Sequence, residues 1–580
     1  MVGTVFNVEN LINPDAMASE IALKWVDWNN LRSKWVAEKK ELRNYLYATD
    51  TSTTSNAMLP WSNTTTIPKL TQIKDNLHAN YFATLFPNSK WMRWEGDDED
   101  SVSKDKRETI QAYMENKVRQ SGFIDTCSTL LDDFIQYGNC FGYVSFEDYS
   151  VVKESGEVIP GYVGPKLNRI SPFDIVFNPT ASDFKRTPKI VRAILSLGEV
   201  KKIVDTNPNS PLADAFTKMI SNRQTVAGVD SDVTKGEAYT ADGFSDIKMY
   251  YSSNYVEVLT FYGDIYNTDT GDFMPDRIVT VVDRAYVTDN SENPSWLGES
   301  PIFHTGWRDR PDNLYSMGPL DNLVGMQYRL DHLENLKADV FDQIAYPMLK
   351  IKGDVEEFDF QPGERIIMGE EGDVGYLRPD TTALNADLQI QLLEAKMEEM
   401  AGAPKQAMGI RTPGEKTAFE VQALENSAGR IFQHKTAHWE RTFEEPILNN
   451  MLEVARRHMN YSDTIRVLDD KTGVFLFENI TKEDITAKGK IIPVGARHFA
   501  ERAQRLQNIT QMNAIKMQDP TVAPHLSGKM MAEIMATELG ESELYGENIA
   551  IFEQMETQQV AQEAQVQAEE TQQIAIEQGI

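Results

Sequence analysis

The sequence predicts a mainly helical α+β fold. Apolar residues recur at helical spacing over long stretches towards both ends of the chain. Between about 140 and 310 the period shifts to two, the signature of half-buried strands. The 580 residues are 41% hydrophobic, enough for several cores and two to four domains.

Residues 15–47 are predicted as one helix: Asp15 follows Pro14, and Ile21, Trp25, Trp28, Leu31, Trp35 and Leu42 share one face. A Ser/Thr/Asn-rich loop is expected over 51–66, then a helix over 70–85 that stops before Pro87. The acidic cluster 95–100 reads as a solvated loop, and helices follow over 104–120 and 123–137, the second ending at Tyr137-Gly138. Strands are expected at Phe141-Gly-Tyr-Val-Ser-Phe146, Ile175-Val-Phe177, Val256-Glu-Val-Leu-Thr-Phe-Tyr262 and Ile278-Val-Thr-Val-Val282, with a long polar loop over 221–253.

Helical spacing returns at Pro319. Leu323, Leu330 and Ile344 are spaced in sevens or multiples of seven, and Met326, Leu333 and Val340 form a companion row; Pro347 closes the helix. Residues 319–346 span about 42 Å at the helical rise. A β-like module over 348–384 carries turn signals at Gly353, Pro362-Gly363, Gly369, Gly372 and Gly375. A helix over 385–401 leads into a loop, 402–416, studded with Gly402, Pro404, Gly409, Pro413 and Gly414. Thr417-Ala-Phe-Glu420 is a capping box that opens a helix reaching Met459, with a kink expected at Pro446. Strands over 464–468 and 474–477, helices between 498 and 555 and a Gln/Ala/Glu-rich end over 557–580 complete the reading.

No stretch is long and apolar enough for a membrane span, and the opening Met1-Val2-Gly3-Thr4 has no leader-like pattern. Cys127 and Cys140 are too few for a disulfide framework and read as small buried hydrophobes in a reducing compartment. The net charge of −31 excludes a broad basic footprint for gripping nucleic acid. It suits either an ordinary acidic protein or a surface that touches a polyanion without holding it.

Three motifs resemble catalytic or metal chemistry and fail on their details. In Gly409-Ile-Arg-Thr-Pro-Gly414-Glu415-Lys416-Thr417, Glu415 interrupts a P-loop, would repel phosphate, and follows a predicted helix where a strand is required. His434 and His438 stand four apart on a helix, but Lys435 occupies the place of a zinc protease's glutamate and no third ligand lies nearby in sequence. The acidic runs 95–100 and 370–373 lack patterned partners. The expectation is therefore no catalytic residues, no cofactor and no metal.

Charge distribution carries more. Residues 353–400 hold thirteen acids against Arg365, Arg378 and Lys396, a net of −10. The loop 402–416 holds Lys405, Arg411 and Lys416 against Glu415, a net of +2, so the charge changes sign at one breaker-rich loop. From 530 to 580 there are eleven glutamates and no Lys, Arg or Asp.

Long helix, β module, short helix, Gly/Pro loop and second long helix, in that order, resemble the portal (head-to-tail connector) family of tailed bacteriophages, its short-tailed branch in particular. Tyr315-Ser-Met-Gly318-Pro319-Leu320 is similar to the family's Tyr-Gly-x-Gly-Pro entry to its first stem helix, with Ser316 in place of the usual glycine. Thr417-Ala-Phe-Glu-Val421 resembles the family's Thr-Ala-x-Glu-Val. Leu85-Phe86-Pro87 with Trp91 and Trp94 resembles an N-terminal signature, and Tyr137-Gly138-Asn139 a turn that follows a helix. The motifs run in order across about 85–500.

The resemblance implies a portal fold assembled as a ring. Residues 1–314 would form the wing, 315–347 the first stem helix, 348–384 the clip, 385–401 the second stem helix and 402–416 a tunnel loop. The kinked helix would be 417–459, wing return strands 460–495, the crown 496–556 and the tail 557–580. Leu323, Leu330, Leu333, Val340 and Ile344 would pack the stem between neighbours, with Asp331 and Asp339 on other faces. Lys405, Gln406, Arg411, Thr412 and Lys416 would face double-stranded DNA. A ring of twelve helices at 9–10 Å spacing would be roughly 36 Å across at the helix axes, leaving about 26 Å for a duplex. The implied partners are further copies of the chain, the terminase motor, adaptor and tail proteins, and the major capsid and scaffold proteins, with no membrane. The implied place is the capsid vertex of a virion assembled in the host cytoplasm. Two alternatives stay open: another structural virion protein such as an adaptor or head-completion protein, and an ATP-dependent packaging enzyme.

Overall fold

The computed structural model describes residues 4–6, 14–47, 63–87, 91–97, 104–149, 151–153, 158–159, 161–206, 213–218, 255–267, 271–296, 300–358, 365–377, 380–401, 431–459, 463–468 and 475–494, with a few isolated positions besides. The chain mixes helix and sheet and divides into two compact units. One comprises 1–460 with 482–493, the other 461–481 with 494–580.

The first unit opens with β1 (Thr4–Phe6) and two helices, α1 (Pro14–Leu31) and α2 (Ser33–Tyr47), where one was predicted. The interruption falls at Arg32, which is buried. Its guanidinium donates to the carbonyls of Pro172, Ile175 and Phe173 at 2.7, 2.6 and 2.6 Å and to Asn29 Oδ1 at 3.0 Å. Trp28 and Trp35 keep helical spacing on either side of the interruption, so periodicity alone could not reveal it, and Leu31, counted in that spacing, is exposed. Helix α3 (Lys69–Leu85) ends before Pro87 as predicted. β2 (Met92–Gly96) takes in Glu95, the first residue of the expected acidic loop, because Trp94 and Met92 are buried beside it. Helices α4 (Lys104–Gln120) and α5 (Phe123–Gln136) match their predicted spans to within a residue.

The strand-rich region holds β3 (Asn139–Asp148), β4 (Val151–Val152), β5 (Val158–Ile159), β6 (Val163–Ile170), β7 (Ile175–Phe177), β8 (Lys189–Ser196), helix α6 (Leu197–Thr206), β9 (Tyr255–Asn267), β10 (Phe273–Val282), β11 (Tyr286–Glu292), β12 (Ile302–Gly306), β13 (Arg308–Arg310) and β14 (Asn313–Met317). One sheet runs β11-β10-β9-β8-β7. β1 joins β9 in parallel at Ile265–Asn267, beyond the last β8 pairing at Tyr262. A second sheet runs β12-β3-β6. Helix α1 lays Met17, Ile21, Trp25 and Trp28 on Val176, Ile190, Leu259, Phe261 and Val279 of the larger sheet. Trp35, Tyr137, Phe141, Phe173, Phe177 and Tyr315 form an aromatic core where α2, α5 and both sheets meet. Burial at ~25 cal/mol per Å2 makes such aromatic side chains the largest single contributors to the core.

Helix α7 (Val324–Ala345), preceded by a 3-10 turn at Asp321–Leu323, leads to a hairpin of β15 (Met348–Lys352) and β16 (Asp373–Leu377). A 3-10 turn, Thr381–Ala386, and helix α8 (Asp387–Ala401) return alongside α7. Residues 431–439 are helical, followed by a π-helical turn, Glu440–Glu444, and helix α9 (Glu445–His458). Pro446 stands in the first turn of α9, where its missing N–H costs nothing that the preceding π turn has not already released. β19 (Gly489–Pro493) pairs with β2.

In the second unit the described residues form one antiparallel pair, β17 (Asp463–Leu468) and β18 (Phe475–Ile480), close to the strands expected there. The expected loop 221–253, the loop 402–416, the capping box at Thr417, the helices between 498 and 555 and the end 557–580 lie outside the described residues, isolated positions aside. Among the described residues no helix is long and apolar enough to cross a membrane.

Candidate assembly surface on a helical hairpin

Two of the motifs singled out in the sequence meet in space. Gly138 (φ +71°) turns the chain from α5 into β3, and a Cβ there would lie 2.3 Å from the Gly318 nitrogen. Neither steric condition can be met by another residue. Asn139, fully buried, reads the backbone of Ser316 in both directions: Nδ2 donates to Ser316 O at 2.9 Å, and Ser316 N donates to Oδ1 at 2.9 Å. His304 Nε2 lies 3.0 Å from the same Oδ1, so this nitrogen carries the ring proton. Burial holds His304 down to about 4, and the ring is neutral at pH 7. Asp321 accepts from Gly318 N at 2.8 Å and pairs with the buried Lys39 of α2, whose pKa is lowered chiefly by burial, against the raising effect of Asp321. Tyr137-Gly138-Asn139 thus fixes the point at which Tyr315–Leu320 leaves the body and enters α7.

Below this junction one face of α7 binds an extended segment. Gln327, Asp331, Asn335 and Asp339 recur every four residues, and they engage residues 63–70 in antiparallel order. Asn63 N donates to Asp339 Oδ1 at 2.7 Å, Thr65 N to Asn335 Oδ1 at 3.0 Å, Ile67 N to Asp331 Oδ1 at 3.0 Å and Leu70 N to Gln327 Oε1 at 3.2 Å. The two amide side chains also donate, Asn335 Nδ2 to Thr65 O at 2.9 Å and Gln327 Nε2 to Ile67 O at 2.6 Å. From Asn63 to Ile67 the match is metric, since four helical residues rise about 6.0 Å and two extended residues about 6.6 Å; the last rung, three residues on, lies in the first turn of α3. Burial raises the Asp331 carboxyl to about 6, against the lowering effect of Ile67 N–H and Gln327.

Charged pairs complete the hairpin. Lys69 Nζ meets Glu398 Oε1 of α8 at 2.6 Å with both side chains buried, and Lys337 of α7 meets Asp387 of α8 at 2.5 Å. The apolar row expected to pack the stem divides along α7. Leu323, Leu330 and Leu333 are buried within the chain, Val340 is half-buried, and Ile344 is exposed. From Leu336 onward large apolar side chains face outward: Phe341, Ile344 and Tyr346 on α7 and its end, Leu388, Leu392 and Met400 on α8. Tyr346 is 79% and Leu388 77% exposed. The β15–β16 hairpin adds Met348, Ile351, Tyr376 and Leu377, all exposed. An isolated two-stranded hairpin is marginal in water, and exposed large apolar side chains on α7, α8 and this hairpin make the region a candidate interaction surface.

Asp331 and Asp339, expected on faces of α7 other than the apolar row, face the segment 63–70. That segment was read as part of a loop and the following helix. A polar row at every fourth position looks like a solvated face until the extended partner is seen. Lys405, Gln406, Arg411, Thr412 and Lys416 lie outside the described residues.

Other groupings point to structure. Ser128 Oγ lies 3.1 Å and Asp132 Oδ2 4.0 Å from His78, but both address Nε2, whereas a nucleophile relay needs the carboxylate on the opposite ring nitrogen. His438 faces Asp309 at 3.5 Å, and Lys435 bonds Trp307 O and stacks over its ring. Among the described residues no group of three or more His, Cys, Asp or Glu is placed to hold a metal ion. Cys127 and Cys140 are buried, and burial pushes both thiols up, away from the reactive thiolate. In comparisons with known proteins, no family model and no curated protein matches the chain.

Proposed function

We propose that the chain is a portal subunit, a non-enzymatic member of a ring through which double-stranded DNA enters and leaves a phage capsid. The observation that carries this reading is the out-and-back hairpin of α7, β15–β16 and α8. Its root is bonded into the body, and its outer rows of large apolar side chains are exposed on the single chain. Such rows are satisfied by like rows on identical neighbours, and a head-to-tail interface that repeats by rotation closes a ring. The motif order along the sequence and the meeting of Tyr137-Gly138-Asn139 with Tyr315–Leu320 support it. So does the net −10 of residues 353–400, which would keep phosphates from dwelling on the stem and clip.

In this reading Lys405, Arg411 and Lys416, with Gln406 and Thr412, make brief, salt-sensitive phosphate contacts in the bore. The clip hairpin receives the terminase motor during packaging and adaptor and tail proteins afterwards. The wing meets scaffold and capsid proteins, and the assembled ring sits at the capsid vertex of the virion. Mass photometry and negative-stain imaging of the purified protein test the proposal. The expected particle is a ring near twelve times 65.7 kDa with a central hole. Leu388→Asp with Leu392→Asp should leave folded single chains. A solid particle, or rings that persist in this variant, would overturn it.

A further inference from the structure

We propose that residues 63–70 are a latch: seated on the polar ladder of α7 they hold the helical hairpin to the body of the chain, and unseating them frees it. In the four ladder bonds backbone N–H groups of the segment donate to side-chain oxygens of α7, so no backbone group of α7 takes part. The segment can therefore leave without breaking any bond inside α7, whose own i→i−4 ladder is independent of it. Its far end runs straight into α3, where Lys69 bonds Glu398 of α8. One short stretch of chain thus ties α3, α7 and α8 together.

Asp331 is the weak rung. Its Oδ1 accepts from Ile67 N at 3.0 Å and from Gln327 Nε2 at 2.8 Å, while Oδ2, equally buried, has no hydrogen-bond partner. No cation pairs with Asp331 among the described residues: Lys39 of α2 pairs with Asp321, Lys69 of α3 with Glu398, Lys74 of α3 with Asp132, and Lys337 of α7 with Glu334 and with Asp387 of α8. The remaining carboxylates facing the segment, Asp339 and Asp342, bind Asn63. An ionised Asp331 is then a buried charge without a cation, which a protein resists.

The sign of the pH response follows. Seated, Asp331 titrates at about 6; unseated and solvated, it returns to its ordinary 3.8. The seated form holds its proton more tightly, so the latch is firmest below about pH 4, loosens as pH rises to about 6 and is level above. The gap corresponds to about a hundred-fold change in the unseating equilibrium. At neutral pH the latch sits at its loose limit, poised to open.

Hydrogen exchange on the full-length protein between pH 4.5 and 7.5, corrected for the intrinsic rate, tests this. Protection of peptides covering 63–70 should fall tens-fold over that range, with α7 falling alongside and the β8–β9–β10 sheet unchanged. Asp331→Asn should keep acid-like protection at pH 7.5. Gln327→Ala with Asn335→Ala should lose protection at every pH. The proposal is overturned if protection is flat with pH, if Asp331→Asn leaves the dependence in place, or if 63–70 opens only together with the sheet.

Discussion

Asn139 shows how much one side chain can decide. It satisfies the N–H and C=O of Ser316 in a buried site, and Gly138 beside it permits the approach. Asn139→Ala leaves two buried backbone groups without partners, so a loss of about 2–4 kcal/mol is expected in urea denaturation. Gly138→Ala, forced into a left-handed conformation against the Gly318 backbone, should cost at least about 2 kcal/mol. His304, a neighbour of Asn139, gives this junction a pH signature. Its folded pKa, about 4, lies below its ordinary 6.5, so stability is complete above pH 6.5 and drains away as pH falls towards 4. His304→Gln should flatten that part of the stability–pH curve. The two motifs were legible as sequence, but their contact was not. Residues 137–139 and 315–320 are far apart along the chain, and only the three-dimensional fold brings Gly138 against Gly318.

At the scale of elements, periodicity located most of the helices and both ends of the hairpin, because α3, α4, α5 and α8 each commit one face to a core. It missed features that leave that face unchanged. The interruption at Arg32 leaves Trp28 and Trp35 at helical spacing, and β2 is too short and too close to the acids 97–100 to stand out. The π turn Glu440–Glu444 buries Glu444, whose carboxyl is pushed well up by burial and by Glu440, an arrangement no spacing rule anticipates. The buried Lys69–Glu398 pair that joins α3 to α8 was equally invisible. Glu398→Ala would strand a buried ammonium and should cost about 3–5 kcal/mol, whereas Lys69→Met with Glu398→Leu should be near neutral. Chemical denaturation of the two variants separates a needed ion pair from a replaceable one.

For the whole molecule, charge and apolar surface pull against each other. On the portal reading each copy would bring −31, and the exposed apolar rows on α7 and α8 would draw copies together. Salt screens the repulsion within a Debye length of about 10 Å at 0.1 M and leaves apolar association intact. Assembly should therefore strengthen between about 0.05 and 0.5 M salt, measured by sedimentation velocity. An interface held mainly by ion pairs would weaken instead. If the chain is a portal subunit, replacing Lys405, Arg411 and Lys416 together by alanine should alter DNA packaging or retention in vivo and leave ring formation unchanged.

The ladder between residues 63–70 and α7 behaves as a vernier. Two scales of slightly different pitch run side by side, and from Asn63 to Ile67 about 0.6 Å of mismatch accrues at each of two steps. The third step takes three residues instead of two, as the chain turns into α3 and brings Leu70 N to Gln327. Such a clasp is not lengthened on that side, where the segment becomes helix. Nor can it slip by a single residue, since an odd offset would bring carbonyls to face the carboxylates of Asp331 and Asp339. Its register is set by the arithmetic of two backbone repeats, and its reach by the start of α3.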